Sequence, residues 1–373
     1  MTLAAVLLVV LAGTQGRTGT PAPAPASTQA PIPTTAPAST AWDLELVPLK
    51  PGLYLLRRPD VLRQPVEPNA LVIVNDDDVV VVDAGGTPRA AENAIRLVRS
   101  VTSKPVSVLV NTHWHGDHNF GNATWRAAYP GLVVVGHPNT RRDILGAEAR
   151  YLGKMAEQLG PPIEAFRAKV QDGTATPRQR TLLADLELAL AEAARTTPSP
   201  PDLTVADALV LHRGDREIHV RHLGRGNTEG DLVVWLPRER VVAAGDLVVS
   251  PIPYGFGSFP GPWIEALERL AGLDFELLVP GHGEVQRDRA FLRDLQALLR
   301  EVRTQVAAAV ARGLDLEATR KAVDLTAWRR KLAGDDPYPA RLFEGWWTSP
   351  IVRSAWLVAK GLPILQGASD ETG

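Results

Sequence analysis

Cysteine is absent from all 373 positions of the chain. That absence rules out disulfides, thiolate metal ligands, a cysteine nucleophile and a lipid-modified N-terminal cysteine. Any metal must therefore be held by His, Asp, Glu, Asn or water. A strong excess of one charge is missing too. The formal net charge is -2, which gives no reason to expect nucleic acid or an anionic membrane as partner. The unbroken apolar run from Leu3 to Ala12 is too short for a comfortable membrane span. No basic residue precedes it, Arg17 being the first. No repeat of fixed short period is present.

What is there describes a folded protein: 45% hydrophobic residues, 22% charged, and nine tryptophans, enough for a sizeable core. The Leu3–Ala12 run has the length of a signal-peptide core, so residues 1–17 are expected to be a signal peptide and the protein periplasmic or secreted, with no stable membrane anchor. Residues 18–41, rich in Pro, Ala, Thr and Ser, are expected to be a disordered linker. The main domain is expected over 42–290, with a helical insertion at about 140–195. A helical extension over 291–373 is expected to pack on the same domain. Trp346, Trp347 and Trp356 are expected in the core or at an interface.

From Trp42 the pattern is one of short strands. Glu45–Lys50, Leu53–Leu56, Ala70–Asn75 and Val79–Asp83 are β-rich runs separated by Pro-Gly, Asp-Asp and Gly-Gly turn signals. Val79 to Val82 lacks polar alternation, so it is expected to be buried on both faces. A helix over Pro88–Ser100 and a strand at Ser107–Val110 complete a crossover unit. Leu132–Val135 reads as a further strand. The helical stretch from Thr140 to Arg195 is expected to break near Gly160-Pro161-Pro162 and at Gly173. Strands resume at Leu203–Leu211, Glu217–Leu223, Asp231–Leu236, Val241–Ala244 and Leu277–Val279, with helices from Arg287 onward. Two β-rich halves, each followed by helices, point to sheets packed face to face with helices outside.

Histidine is scarce, eight in the whole chain, yet three fall in Asn111-Thr112-His113-Trp114-His115-Gly116-Asp117-His118. The cluster follows a buried strand. Neutral imidazoles and a carboxylate are zinc-type ligands. His113 and His115, two apart on extended backbone, project to one side. Gly116 then lets the chain turn, so Asp117 and His118 face a second point nearby. Two further strands end in zinc-compatible side chains, at Gly245-Asp246 and at Pro280-Gly281-His282-Gly283.

These motifs, with the Asp83 strand end and Gly224-Arg225-Gly226-Asn227-Thr228, resemble the metallo-β-lactamase-fold superfamily in their order, over about Trp42 to Arg287. The resemblance implies an α/β (α+β) fold, a four-layer αββα sandwich with the site at one edge between the sheets. It also implies one or two zinc ions. His113 and His115 would hold the first, Asp117, His118 and His282 the second, with Asp246 bridging them. The family's third histidine of the first site is replaced here by Asn227, a weaker donor, so that site is expected to be weakened. His222 lies about 16 Å upstream on extended backbone, too far to substitute.

The implied reaction is attack by metal-activated water on an amide, ester, lactone or thioester carbonyl of a small molecule, with Asp117 orienting the water. Trp114, Arg225, Tyr254 and Phe256 are candidates for the substrate cleft, and Asn227 contacts metal or substrate. Hydrolysis of β-lactams is one alternative, although no basic residue follows Asp246 through Pro251. Others are action on thiol or sulfur compounds with altered metal content, and a catalytically impaired binding or scaffold protein on the same fold.

Overall fold

The computed structural model describes residues 40–366. The expected signal peptide and almost all of the expected linker lie outside the described residues. Thr40 and Ala41, the last residues assigned to that linker, are folded in. Ala41 is fully buried, and its backbone N–H donates to Asp185 at 3.2 Å.

Seven strands form the first sheet in chain order: β1 (Glu45–Lys50), β2 (Leu53–Arg57), β3 (Ala70–Val74), β4 (Val79–Val82), β5 (Val106–Val110), β6 (Val133–Gly136) and β7 (Leu203–Thr204). Pairing is antiparallel through β4 and parallel from β4 to β7. The second sheet has the order β12-β11-β10-β9-β8, from β8 (Ala208–Arg213), β9 (Arg216–His222), β10 (Leu232–Leu236), β11 (Val241–Ala243) and β12 (Leu277–Val279). Leu203–Leu211, expected as one strand, is two strands in different sheets. Leu203 and Thr204 pair with β6, and the chain then crosses over so that β8 pairs with β9.

The layers follow from side-chain alternation. Leu53, Leu71, Ile73, Val80, Val82 and Val110 point into the space between the sheets, where Val220, Leu232, Val234 and Val241 meet them. The intervening residues Val72, Val79, Val81 and Leu109 pack outward on α1 (Pro88–Val101), through its Ala91, Ile95 and Val98. Hence Val79 to Val82 is buried on both faces, each valine contributing roughly 1.5–3 kcal/mol. The outer face of the second sheet, Val233, Val242 and Leu278, is covered by Trp263 and Leu267 of one helix and Leu298 and Val302 of another. This is the four-layer αββα sandwich.

Two long helices of the insertion, α2 (Ala149–Gln171) and α3 (Pro177–Ala193), pack as a pair outside the sandwich. The expected break at Gly160-Pro161-Pro162 is absent, and α2 runs through both prolines. Burial of Met155, Leu159, Ile163 and Phe166 on one stripe outweighs a proline cost of about 3 kcal/mol. The break expected at Gly173 is present, where α2 has ended and φ is +78°. Among the described residues no helix is long and apolar enough to cross a membrane.

Candidate metal centre

All the strand ends bearing candidate ligands open at one edge of the sandwich. β4 ends in Asp83, a non-glycine residue with φ of +68°, a conformation that aspartate tolerates better than most. Its carboxylate accepts from the Thr112 N–H at 2.8 Å and from the Thr112 hydroxyl at 2.9 Å. β5 ends at Val110, and the next loop is pinned by reciprocal amide bonds between Asn111 and Asn122 at 3.0 and 2.7 Å. Residues Gly116–Asn119 form one helical turn, which carries Asp117 and His118 into a second group beside that of His113 and His115. Gly281 has a specific reason to be glycine: a Cβ there would collide with the Asp246 carboxylate.

Six side chains converge in two groups, His113, His115, Asp246 and Asp117, His118, His282, the ligand atoms in each lying within 4.8 Å of one another. Asp246 stands between them. One oxygen is 3.6 Å from His113 Nε2, and the other is 3.3 Å from His118 Nε2 and 3.6 Å from His282 Nε2. Asp117 Oδ2 lies 3.1 Å from His282 Nε2 and 3.5 Å from His118 Nε2.

Outer contacts fix the rings. His282 Nδ1 faces the Glu67 carbonyl at 3.1 Å; a carbonyl only accepts, so Nδ1 is the donor and neutral Nε2 presents a lone pair inward. His118 Nδ1 is held by Asp83 at 2.8 Å. His113 Nδ1 meets the Thr112 hydroxyl at 3.0 Å, and that hydroxyl's own proton goes to Asp83. Such outer partners orient metal-binding histidines and raise their basicity.

The electrostatics ask for a cation. Asp246 is buried, and neither of its oxygens has a hydrogen-bond partner, an expensive state for a carboxylate. Burial lowers His115 to about 4 and His113 well below the usual range. His118 moves the other way: burial opposes its charge, but Asp246, Asp83 and Asp117 together hold it well above its ordinary value. Burial likewise opposes the Asp117 charge, yet His118 and His282 hold it below the usual carboxylate range. A divalent ion in either group would meet nitrogen and oxygen donors suited to zinc, so the residues fit the group that the sequence implies.

Asn227 is fully buried. Its Nδ2 donates to the Tyr254 carbonyl at 2.9 Å, and its Oδ1 has no partner. His222 is committed elsewhere, its Nδ1 on the Asp231 carbonyl at 2.9 Å and its ring 4.5 Å from His137.

A cavity of about 300 Å³ adjoins the ligands and reaches the insertion. Of the cleft candidates, Trp114, Tyr254 and Phe256 line it. Arg225 does not; it is half-exposed and lies over the Phe259 ring at 4.8 Å, with Glu229 at 3.9 Å. The Tyr254 ring lies tilted against His282 and edge-on to Trp346, each 5.1 Å away. Burial keeps its phenol protonated well above the ordinary range, helped by the charges of Asp246 and Asp117.

Among the lining residues that the sequence reading did not single out, three matter most for the site. Trp42 sits just before β1, Trp346 comes from a π-helical turn over Phe343–Thr348, and Glu148 from another over Ile144–Glu148. Burial raises the Glu148 carboxyl well above its usual value, and Asn119 Nδ2 donates to it at 2.7 Å. The same amide contacts the Trp114 and His115 carbonyls, tying the insertion to the ligand loop. Paired π turns, which often mark functional sites, are not visible as a spacing.

A two-sheet sandwich with His and Asp ligands gathered at one edge defines a metallo-hydrolase architecture. The family model of the metallo-beta-lactamase superfamily matches residues 63–282, and the chain belongs to that superfamily. It is 27% identical over 190 residues to a type 2 metallo-beta-lactamase from Bacillus cereus, covering 46% of this chain and 72% of that protein. It is 22% identical over 237 residues to a linear primary-alkylsulfatase from Pseudomonas sp. (strain ATCC 19151), covering 60% of this chain but only 43% of that one. A solved structure of a sec-alkylsulfatase from Pseudomonas sp. superposes with a TM-score of 0.59 at 16% identity, over 84% of this chain and 50% of that one. That likeness concerns the fold.

Proposed function

We propose that this hydrolase cleaves an amide, ester, lactone or thioester bond of a small molecule at the Asp117–Asp246 edge of the cavity. The observation that carries the reading is the meeting of two three-ligand groups around the unpartnered Asp246 carboxylate at the wall of a partly open, largely apolar cavity. Zinc held there would polarise the bond under attack and lower the pKa of water to about 7.

The remaining work falls to the chain. Asp117 is ionised at neutral pH, and its Oδ2 is engaged by His118 and His282. Its Oδ1 is left to orient the attacking water and accept its proton. Tyr254 lines the cavity and keeps its phenol proton, so its hydroxyl is the donor to the oxygen on which charge develops. Asn227 acts as a positioning residue, because its amide holds the Tyr254 backbone. Trp114, Phe256 and Trp346 exclude bulk water from that edge.

The Bacillus cereus relative keeps β-lactam hydrolysis as a specific reading, and the alkylsulfatase adds cleavage of a sulfate ester. Arg225 gives the first no support, since it is turned onto Phe259. A panel of a chromogenic cephalosporin, a lactone, a thioester and an alkyl sulfate, each with and without chelator, tests the proposal. Chelator-sensitive turnover of one class, lost in Asp117→Ala with unchanged circular dichroism, is the expected result. Inactivity on all four with zinc bound would favour a scaffold. Export from the cell, expected from the Leu3–Ala12 run, is part of the same proposal, and fractionation of the expressing cells checks it.

A further inference from the structure

The insertion supplies one whole side of the cavity and does so with an uneven mixture of side chains. Tyr151 and Met155 of α2 and Ala189 and Ala193 of α3 face Trp42 and Phe120 across it. Small residues on α3 opposite aromatic rings leave a slot rather than a packed seam. Its volume of about 300 Å³ is at the small end for ligand sites, room for about ten groups the size of a water molecule.

Two cations of the same lining, Arg150 and Lys154, lie four residues apart and so on one face of α2. Both are exposed at the rim, and neither has an acidic partner among the described residues. The neighbouring helical arginines differ: Arg142 pairs with Asp143 and Glu229, and Arg167 with Glu164 and Glu187. The acidic neighbour on the same wall, Glu148, is buried and engaged by the Asn119 amide at 2.7 Å, and pairs with neither cation. α2 begins at Ala149, directly after Glu148, and a Cβ on Gly116 would lie 2.7 Å from the Glu148 carboxyl. The cations therefore stand within about two helical turns, roughly 9 Å, of the ligand loop.

We propose that the cavity takes a single-chain amphiphile with one anionic group. Its chain lies between α2, α3 and Trp42, and its charge is met by Arg150 and Lys154. That the bond near Asp117 and Asp246 is the one cleaved rests on the hydrolase reading above; the occupant does not.

The test uses full-length protein, zinc-loaded and chelated, titrated calorimetrically with hexane-, octane- and decane-1-sulfonate, 1-decanol and decyltrimethylammonium, all below micelle concentrations. Alkanesulfonates have no hydrolysable ester, so binding is read apart from turnover. Affinity should rise about three- to fourfold per methylene until the slot is filled. Decane-1-sulfonate should bind about tenfold more tightly than 1-decanol, and the ammonium most weakly. The double substitution Arg150→Ala, Lys154→Ala should erase that charge preference in both zinc states, and Ala189→Trp should erase the dependence on chain length while zinc content and circular dichroism are unchanged. Charge-blind binding, a preference that survives the double substitution or disappears on chelation, or a chain-length dependence that survives Ala189→Trp overturns the proposal. Binding as described without turnover of any ester or amide would retain the occupant and refute the hydrolase reading.

Discussion

The two ligand groups contain the same residue types, two histidines and a carboxylate each, but their surroundings differ. In the Asp117, His118, His282 group both rings are gripped from behind, one by the Asp83 carboxylate at 2.8 Å and one by the Glu67 carbonyl at 3.1 Å. In the His113, His115, Asp246 group only His113 has such a grip, on the Thr112 hydroxyl. His115 turns its Nδ1 toward His113 Nε2 at 2.9 Å and shows no partner behind it among the described residues. The position where the superfamily resemblance expects a third histidine holds Asn227, whose Nδ2 is held on the Tyr254 carbonyl and whose Oδ1 is a weaker donor than imidazole. Ligand identity alone would rank the groups equal. The contacts behind the ligands rank the second above the first.

The comparison breaks most severely at the residue that stands between the two groups. Asp246→Asn is expected to weaken zinc binding at both by more than about 10²-fold, beyond the effect of losing an outer partner, and to take activity to background. Zinc analysis after dialysis reads it. A variant retaining one full equivalent would show that Asp246 serves one group only. Tyr254→Phe comes next. Loss of one preorganised donor to a developing oxyanion should lower kcat about 10²-fold with zinc content unchanged, and steady-state kinetics on the metal-loaded variant checks it.

Asp83→Asn sharpens the difference between the groups. It removes the carboxylate behind His118 and should weaken the second group for zinc by about 10–100-fold, bringing it toward the first; competition with a chromogenic chelator measures this. The smallest effect concerns stability. Burial raises Glu67 to about 8 in the folded, zinc-free protein, against about 4.3 for an unperturbed glutamate. Across that window the native state keeps a proton that the unfolded state has released, so stability falls as pH rises, by a few kcal/mol at most. Glu67→Gln should flatten this part of the slope, as read by urea unfolding of zinc-free protein at pH 5 and 9.

What the sequence revealed was what is local along the chain. His113 to His118 lie on consecutive backbone after an apolar strand, and Asp246 and His282 each follow another, so their convergence could be read from strand ends. Asn227 stood out because a motif places a histidine there. The cavity was less legible. Trp42, Glu148 and Trp346 come from distant segments, and two of them are aimed by π turns that leave no periodic trace. Arg225 has a suitable type and position, yet stacking on Phe259 turns it from the cavity, a choice made by packing. At Pro161 and Pro162 local propensity gave way to the buried stripe of α2.

The central claim is that the two groups are unequal. Elemental analysis of protein purified without added zinc, followed by stepwise chelation, tests it most directly. The account predicts about one tightly retained equivalent, held at Asp117, His118 and His282, and a second that leaves at far lower chelator concentration. Two equivalents retained equally and released together would contradict it.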